Sequence, residues 1–305
     1  MTSRRSFLKR IGQASLLYSG GTQLISELDH LDITKLSILH TNDVHSRVDP
    51  FPMDGSRNQG LGGAAKRAAL LKKIRAKEPN TLLFDAGDIF QGTPYFNFYG
   101  GELEIKLMSQ MQYDASTIGN HDFDGGIDSL EKQLIHADFP LIISNYDFDD
   151  TILKGKTLPM KTFTVDKIKV GVTGVGIELQ ALVPNSLTKE TVYLDPIAKA
   201  NEYAAILKHE LKCDHVICLS HLGFKYKSNK VSDMVLAENS KDIDMIIGGH
   251  THTFLREPVN VQNLNGKNVV VNQAGWAGIM LGRVDIYFEK NKKGKCITCR
   301  NQYIS

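Results

Sequence analysis

The chain has 305 residues, enough for one large domain or two small ones, with 42% hydrophobic and 23% charged residues. That balance excludes a disordered, collagen-like or membrane-spanning chain, and no run of eighteen apolar residues offers a transmembrane helix. Basic residues number 36 and acidic residues 34; four of the basic ones (Arg4, Arg5, Lys9 and Arg10) lie in the first 26 positions, which hold no acid. The remainder carries 32 basic and 34 acidic residues, a net of −2, which gives no electrostatic ground for binding a nucleic-acid polymer or an anionic membrane.

The opening basic stretch, Ser3-Arg4-Arg5-Ser6-Phe7-Leu8-Lys9, runs into a modest apolar segment at 11–17 and resembles the twin-arginine export signal of bacteria. Residues 1–30 are therefore set aside as a signal segment with a short spacer, and 31–305 are expected to form a single domain. Export implies a periplasmic or other extracytoplasmic location. No clean small-x-small cleavage site follows, so an uncleaved segment would hold the protein at the membrane.

In chain order, a short apolar strand at 36–40 ends in Thr-Asn-Asp. A helix at 63–77 places Ala64, Ala68, Leu71 and Ile74 on one face and stops at Pro79. A strand at 81–85, a helix at 102–111, a strand at 115–118, a helix at 126–134 and a strand at 141–144 follow. Two β-rich stretches at 161–165 and 169–175 lead to a surface loop at 183–195. A long helix at 196–211, a strand at 215–219, a helix at 232–238 and a strand at 243–247 come next. Strands at 268–272, 280–288 and 296–303 close the chain, with a hairpin turn at 291–295. Alternation of strand and helix through the first 250 residues, with no Pro/Ser/Gly linker or repeat, predicts a layered α/β domain.

Cys213 and Cys218 read as small buried hydrophobes. Cys296 and Cys299 form one isolated C-x-x-C without the further ligands that a structural zinc site needs. They read as two half-buried thiols near the last strand, with no assignable role.

Short polar motifs follow several apolar strands, where open α/β sheets place ligands. They are Asn42-Asp43-Val44-His45, Gly87-Asp88, Gly119-Asn120-His121-Asp122, Ser220-His221 and Gly248-Gly249-His250-Thr251-His252, and they take five of the ten histidines. Each has a bland reading: Asp-x-His fits any exposed loop, Asp88 and Asn120 could cap turns, and a lone His221 is more often structural than a ligand. Together they supply histidine nitrogens, two carboxylates and an amide oxygen, a set suited to Zn²⁺, Mn²⁺, Fe or Co rather than Ca²⁺. Seven groups are too many for one tetrahedral zinc and fit two ions about 3.5–4 Å apart sharing a carboxylate.

The ordered set D-x-H, GD, GNH[DE], H, GHTH resembles the calcineurin-like metallophosphoesterases. Three stretches, at 38–43, 87–93 and 119–124, are similar to the catalytic domain of the bacterial periplasmic 5'-nucleotidases, and the likeness runs from about 36 to 290. The resemblance implies a four-layer α/β/β/α fold (α+β in some schemes), with two packed mixed sheets flanked by helices. It implies one divalent ion on Asp43, His45, Asp88 and His252, and a second on Asp88, Asn120, His221 and His250, with Asp88 bridging. It makes His121 the catalytic histidine and Asp124 its partner. The family more often has Glu where this chain has Asp122, and that position is not a ligand. The glycine often found after the D-x-H histidine is absent from Asp43-Val44-His45-Ser46-Arg47.

The implied activity is hydrolysis of phosphate monoesters, 5'-nucleotidase-like, by attack of a metal-bridging hydroxide on phosphorus. The family's second, base-selecting domain is not in the sequence, so a separate polypeptide could supply it. Alternatives are a 2',3'-cyclic nucleotide phosphodiesterase or broad phosphoesterase, a thiosulfate-oxidation-type sulfur-ester hydrolase with two Mn, and a non-catalytic metal-containing subunit of a two-chain complex. Trp276 and Phe254 are candidates to line the opening near the GHTH motif. Tyr95, Phe96 and Phe98 are candidates to cover the cleft or form a docking face.

Overall fold

The computed structural model describes residues 33–228, 230–289 and 295–305, so the export-like segment and residues 291–294 of the expected turn lie outside them. The first half runs β1 (Ile33–Thr41), α1 (Ala64–Arg75), β2 (Thr81–Asp85), α2 (Pro94–Tyr99), α3 (Glu102–Gln110), β3 (Ala115–Ser116), a 3₁₀ turn at His121–Phe123, α4 (Ile127–Gln133) and β4 (Tyr146–Asp147). The second half runs β5 (Met160–Val165), β6 (Ile168–Gly176), α5 (Asn185–Thr188), β7 (Val192–Tyr193), α6 (Pro196–Ala205), β8 (His215–His221), α7 (Asp233–Glu238) and β9 (Met245–Gly248). It ends with β10 (Val259–Gln262), β11 (Asn268–Asn272), β12 (Met280–Glu289), β13 (Lys295–Cys299) and β14 (Gln302–Tyr303).

Two mixed sheets result. The first has the order β13-β12-β1-β2-β3, with β14 also on β12; the second has the order β10-β11-β9-β8-β6-β5. β1, β2 and β3 are mutually parallel, as are β6, β8, β9 and β11, whereas β12 is antiparallel to β1.

Period-two side-chain alternation divides each central strand between two cores. Leu36, Ile38, Leu82 and Phe84 from the first sheet meet Val172, Ile217, Leu219, Met245 and Ile247 from the second in one buried layer. On the outer face of the first sheet, Leu39 and Leu83 pack with Leu71 and Ile74 of α1, Ile105 and Met108 of α3, and Ile127 of α4. On the outer face of the second, Val216, Cys218 and Ile246 pack with Ala200 and Ala204 of α6 and Leu236 of α7. The order is helix, sheet, sheet, helix. Residues of successive parity on one strand thus serve different layers, so a one-residue slip would exchange the two cores.

Local chemistry fixes the helix ends. Asp195 accepts from the N–H groups of Ile197 (2.8 Å) and Ala198 (3.1 Å) and Pro196 opens α6, while Gly100 in the left-handed region (φ 59°) closes α2.

Several elements differ from expectation. The inward face of α1 carries Ala64, Leu71 and Ile74, with Ala68 half-buried against the same core, and adds the buried Arg67. The apolar run 141–144 makes only single bridges, Leu141 to Ser116 and Ile142 to Leu158, and its backbone N–H groups go in turn to Ser116, Leu158 and Gly174. The loop at 183–195 contains α5 and β7, the latter paired with β4. The long helix becomes a π turn at Ile206–Glu210, and the closing strand is split into β13 and β14, both against β12. Cys213 and Cys218 are buried, and Cys299 is half-buried with a free thiol.

Candidate metal centre

The parallel strands place their carboxyl ends together at one rim of the sandwich. Asp43 lies two residues beyond β1, Asp88 three beyond β2, and Asn120 four beyond β3. His221 ends β8, and His250 and His252 follow β9. The rim therefore takes three loops from one sheet and two from the other.

These loops bend sharply at the polar residues. Asp43, His45, Asp88, His250 and His252 all have positive φ, between 50° and 71°. Each such non-glycine residue costs on the order of 1 kcal/mol or more, and the surrounding hydrogen bonds hold them there. Asp43 N–H donates to Gly87 O (2.9 Å), His45 N–H to Asp88 O (3.1 Å) and Ser46 N–H to Ile89 O (2.9 Å), which zip the first two loops together. His250 N–H donates to both Asp43 carboxylate oxygens, at 2.9 and 3.0 Å. Close approach also demands glycine: a Cβ on Gly119 would lie 2.2 Å from Asp88 Oδ1.

Two groups of side chains converge. Asp43, His45, Asp88 and His252 form one, and Asp88, His221 and His250 form the other; within each, one ligand-type atom per residue lies within 4.8 Å of the rest. Asp88 belongs to both. His45 Nε2 is 3.8 Å from Asp88 Oδ2 and 3.0 Å from His252 Nε2, and His252 Nε2 is 3.4 Å from Asp43 Oδ1. His221 Nε2 is 3.1 Å from Asp88 Oδ2, and Asn120 Oδ1 is 2.8 Å from His250 Nδ1, which adds Asn120 to the second group. All seven sequence candidates meet here.

The donor set fits divalent cations. His45 and His221 contact the carbonyls of Phe90 (3.2 Å) and Ala86 (2.7 Å) through Nδ1, which as N–H donors leave Nε2 as a lone pair facing the cluster. In His221 that buried Nε2 has no hydrogen-bond partner although Asp88 stands beside it. Lone pairs facing carboxylate oxygens and one another need a positive charge between them. The titration behaviour has the same origin. Burial disfavours the His221 cation, yet Asp88 and Asp43 override it and push His221 up to about 10. Burial, reinforced by His221, pulls His250 down to about 4. A proton on His221 thus occupies the place that a cation would take.

His121 stands at the mouth, its ring centroid 5.2 Å from that of His45. Its Nδ1 is 2.8 Å from Asp124 Oδ2, and its backbone N–H donates to Asp88 Oδ1 (2.8 Å). Partial burial acts to lower its pKa, but Asp88 and Asp124 outweigh this and raise it.

Three residues to which sequence reasoning gave no role hold the loops. The buried Asp122 carboxylate accepts from the N–H groups of Asp88 (3.1 Å), Ile89 (2.8 Å), Phe90 (3.2 Å) and Gly119 (2.7 Å). Burial and the neighbouring Asp88 push its carboxyl up to about 7. Asn42 bridges to Ala274 N–H (2.8 Å) and Gly275 O (2.6 Å). Gln273 donates to Gly249 O (2.6 Å) and accepts from Thr253 N–H (2.5 Å), spanning the His250–His252 turn. Polar residues near a metal motif were the only local signal; their partners lie up to 233 positions away.

Trp276 stacks on His252, with ring centroids 5.6 Å apart and planes 6° apart, and Phe254 is exposed nearby, against Gly275. Phe96 instead stacks on Phe90, Tyr95 binds Asp49, and Phe98 is exposed.

A four-layer sandwich with two Asp/His clusters sharing one carboxylate is the framework of a dinuclear metallohydrolase. Residues 36–254 match the family model for calcineurin-like phosphoesterases. A snake venom 5'-nucleotidase from Crotalus adamanteus is 34% identical over 275 residues, covering 84% of this chain and 45% of that protein. Among solved structures, a 5'-nucleotidase precursor from Thermus thermophilus superposes with a TM-score of 0.80 at 30% identity, covering 88% of this chain and 54% of that one. A calcineurin-like phosphoesterase from Bacillus subtilis superposes with a TM-score of 0.71 at 27% identity, covering 89% and 91%. The chain belongs to the calcineurin-like phosphoesterase family. It spans about half the length of the curated relatives it matches.

Proposed function

We propose that the protein is an exported hydrolase of phosphate monoesters, acting on nucleotides or similar small phosphoesters. The observation that carries this reading is the pair of clusters joined at Asp88, with His121 and Asp124 at their mouth. Asp43, His45, Asp88 and His252 would hold one divalent ion, and Asp88, Asn120, His221 and His250 the other. When bound, two such ions neutralise phosphate oxygens and make a water nucleophilic at neutral pH for in-line displacement at phosphorus.

The chain's own residues do the rest. His121 is the catalytic histidine: bound to Asp124 through Nδ1, it keeps Nε2 for the substrate. Its raised pKa favours the cation, which suits it to neutralise charge on the transferring group or to protonate the leaving oxygen. Asp124 orients that ring. Asp88 receives the His121 N–H, so the loop bearing His121 is fixed to the residue shared by both clusters. Similarity to 5'-nucleotidases over half their length supports the nucleotide substrate. The twin-arginine-like residues 3–9 support an extracytoplasmic site of action. Among the described residues no helix is long and apolar enough to cross a membrane.

The test is phosphate release from purified protein across mononucleotides, cyclic 2',3'-nucleotides and sugar phosphates with Zn²⁺, Mn²⁺ or Fe²⁺. Metal-dependent release from monoesters, strongest for nucleotides, is expected. A metal-loaded protein that releases no phosphate from any of them refutes the reading.

A further inference from the structure

The candidate ligand histidines are not all held alike. His45 and His221 are tied through Nδ1 to backbone carbonyls, and His250 meets Asn120. His252 makes its hydrogen-bonding contact through Nε2, toward His45, and none through Nδ1 among the described residues. Its side chain is 40% exposed and sits on a left-handed residue (φ 52°), so neither burial nor a second hydrogen bond, at Nδ1, fixes its ring. What does touch its face is the Trp276 indole, in near-parallel stacking.

Trp276 is itself firmly placed. Phe51 meets it edge-on at 5.9 Å, and the Arg47 guanidinium lies 4.2 Å from the Phe51 ring. Its loop is stitched to both ligand-bearing segments: Ala277 N–H donates to Asp43 O (2.7 Å), and Gly275 N–H to Thr253 O (3.0 Å). The indole therefore moves with Asp43 and with the turn that carries His252.

We propose that Trp276 is a positioning residue for the metal centre, holding the His252 imidazole by stacking and tightening the ion on the Asp43–His45–His252 side. This rests on the dinuclear reading above. An imidazole whose lone pair has gone to a cation is electron-poor, and the indole face attracts it more strongly than it attracts a neutral ring. Linkage then requires that losing the indole weaken that ion, by about 2- to 30-fold, and leave the ion on Asn120, His221 and His250 bound as before.

Trp276 is the chain's only tryptophan, so its emission reports this site alone. The experiment titrates metal-free full-length protein with Zn²⁺ and Mn²⁺, following tryptophan emission and, separately, affinity for both ions by chelator competition. It repeats the competition for Trp276→Leu and Trp276→Phe. Expected are a saturable emission change that tracks one of two binding events, selective weakening of one ion in the leucine variant, and rescue by phenylalanine. If the leucine variant does not fold, the wild-type titration and the phenylalanine variant still decide. A wild type that binds two ions with unchanged emission, or a folded leucine variant with both affinities intact, overturns the positioning role alone. A wild type that binds no ion overturns the metallohydrolase reading and this inference with it.

Discussion

Asp122→Ala isolates the scaffold of the site from its ligands. The carboxylate accepts four backbone N–H groups, from Asp88, Ile89, Phe90 and Gly119, and lies in a buried position. Alanine leaves all four without their acceptor. At about 1 kcal/mol net for each, the typical value for an intramolecular hydrogen bond, the loss is about 4 kcal/mol. Relief of repulsion between Asp122 and Asp88 offsets part of it, and water entering the space offsets more, so a loss of about 3 kcal/mol is expected. Urea unfolding of the metal-free protein, followed by Trp276 emission, measures it, with an unchanged m-value showing that the unfolded reference is the same. Metal affinity should fall as well, because Asp88 and Asn120 lie on the segments that this carboxylate joins. A loss below about 1 kcal/mol would refute the reasoning, since it would mean that the loops hold their shape without their common acceptor.

His121→Ala should keep both ions while turnover falls by roughly 10²–10⁴-fold, and metal analysis alongside kcat checks the split. Asp88→Ala should lose both ions, and full occupancy in that variant would count against a shared ligand. Asp233 is fully buried beneath β8 with Ser220 as a donor (2.6 Å), and burial pushes its carboxyl up to about 8. Its folded pKa exceeds the ordinary carboxylate value, so the associated stability is fully present below about pH 4 and is lost as pH rises through about 8. Asp233→Asn should therefore gain on the wild type between about pH 5 and pH 8, by about 2 kcal/mol or more; parallel stability curves would contradict this.

The central strands of the two sheets were legible because each alternates between two apolar layers, as with Leu36 and Ile38 against Leu39. Elements without that alternation were not. α2 is six residues of aromatic-rich sequence with no buried residue, defined by Pro94 at its start and Gly100 at its end. β10 carries only Val259 and Val261 as apolar residues and is a strand because β11 offers it an edge. Conversely, 141–144 is apolar enough for a strand but finds no continuous partner. In the candidate centre, ligand-type residues stand out because the chemistry restricts them to Asp, His and Asn. The residues that aim them do not. Gln273 could have been any exposed amide, and its link to the Gly249 carbonyl exists only once β9 and β11 lie side by side.

β1 has as its neighbours β2, some forty residues on, and β12, whose register joins Leu36 to Ile286 and Ile38 to Val284. The residues of β12 must therefore be made before the strand leading to Asp43 gains its second partner. Pairing at such sequence separation is slow, because a long loop must close before any contact rewards it. The rim that gathers the candidate ligands is accordingly expected to set only after that pairing.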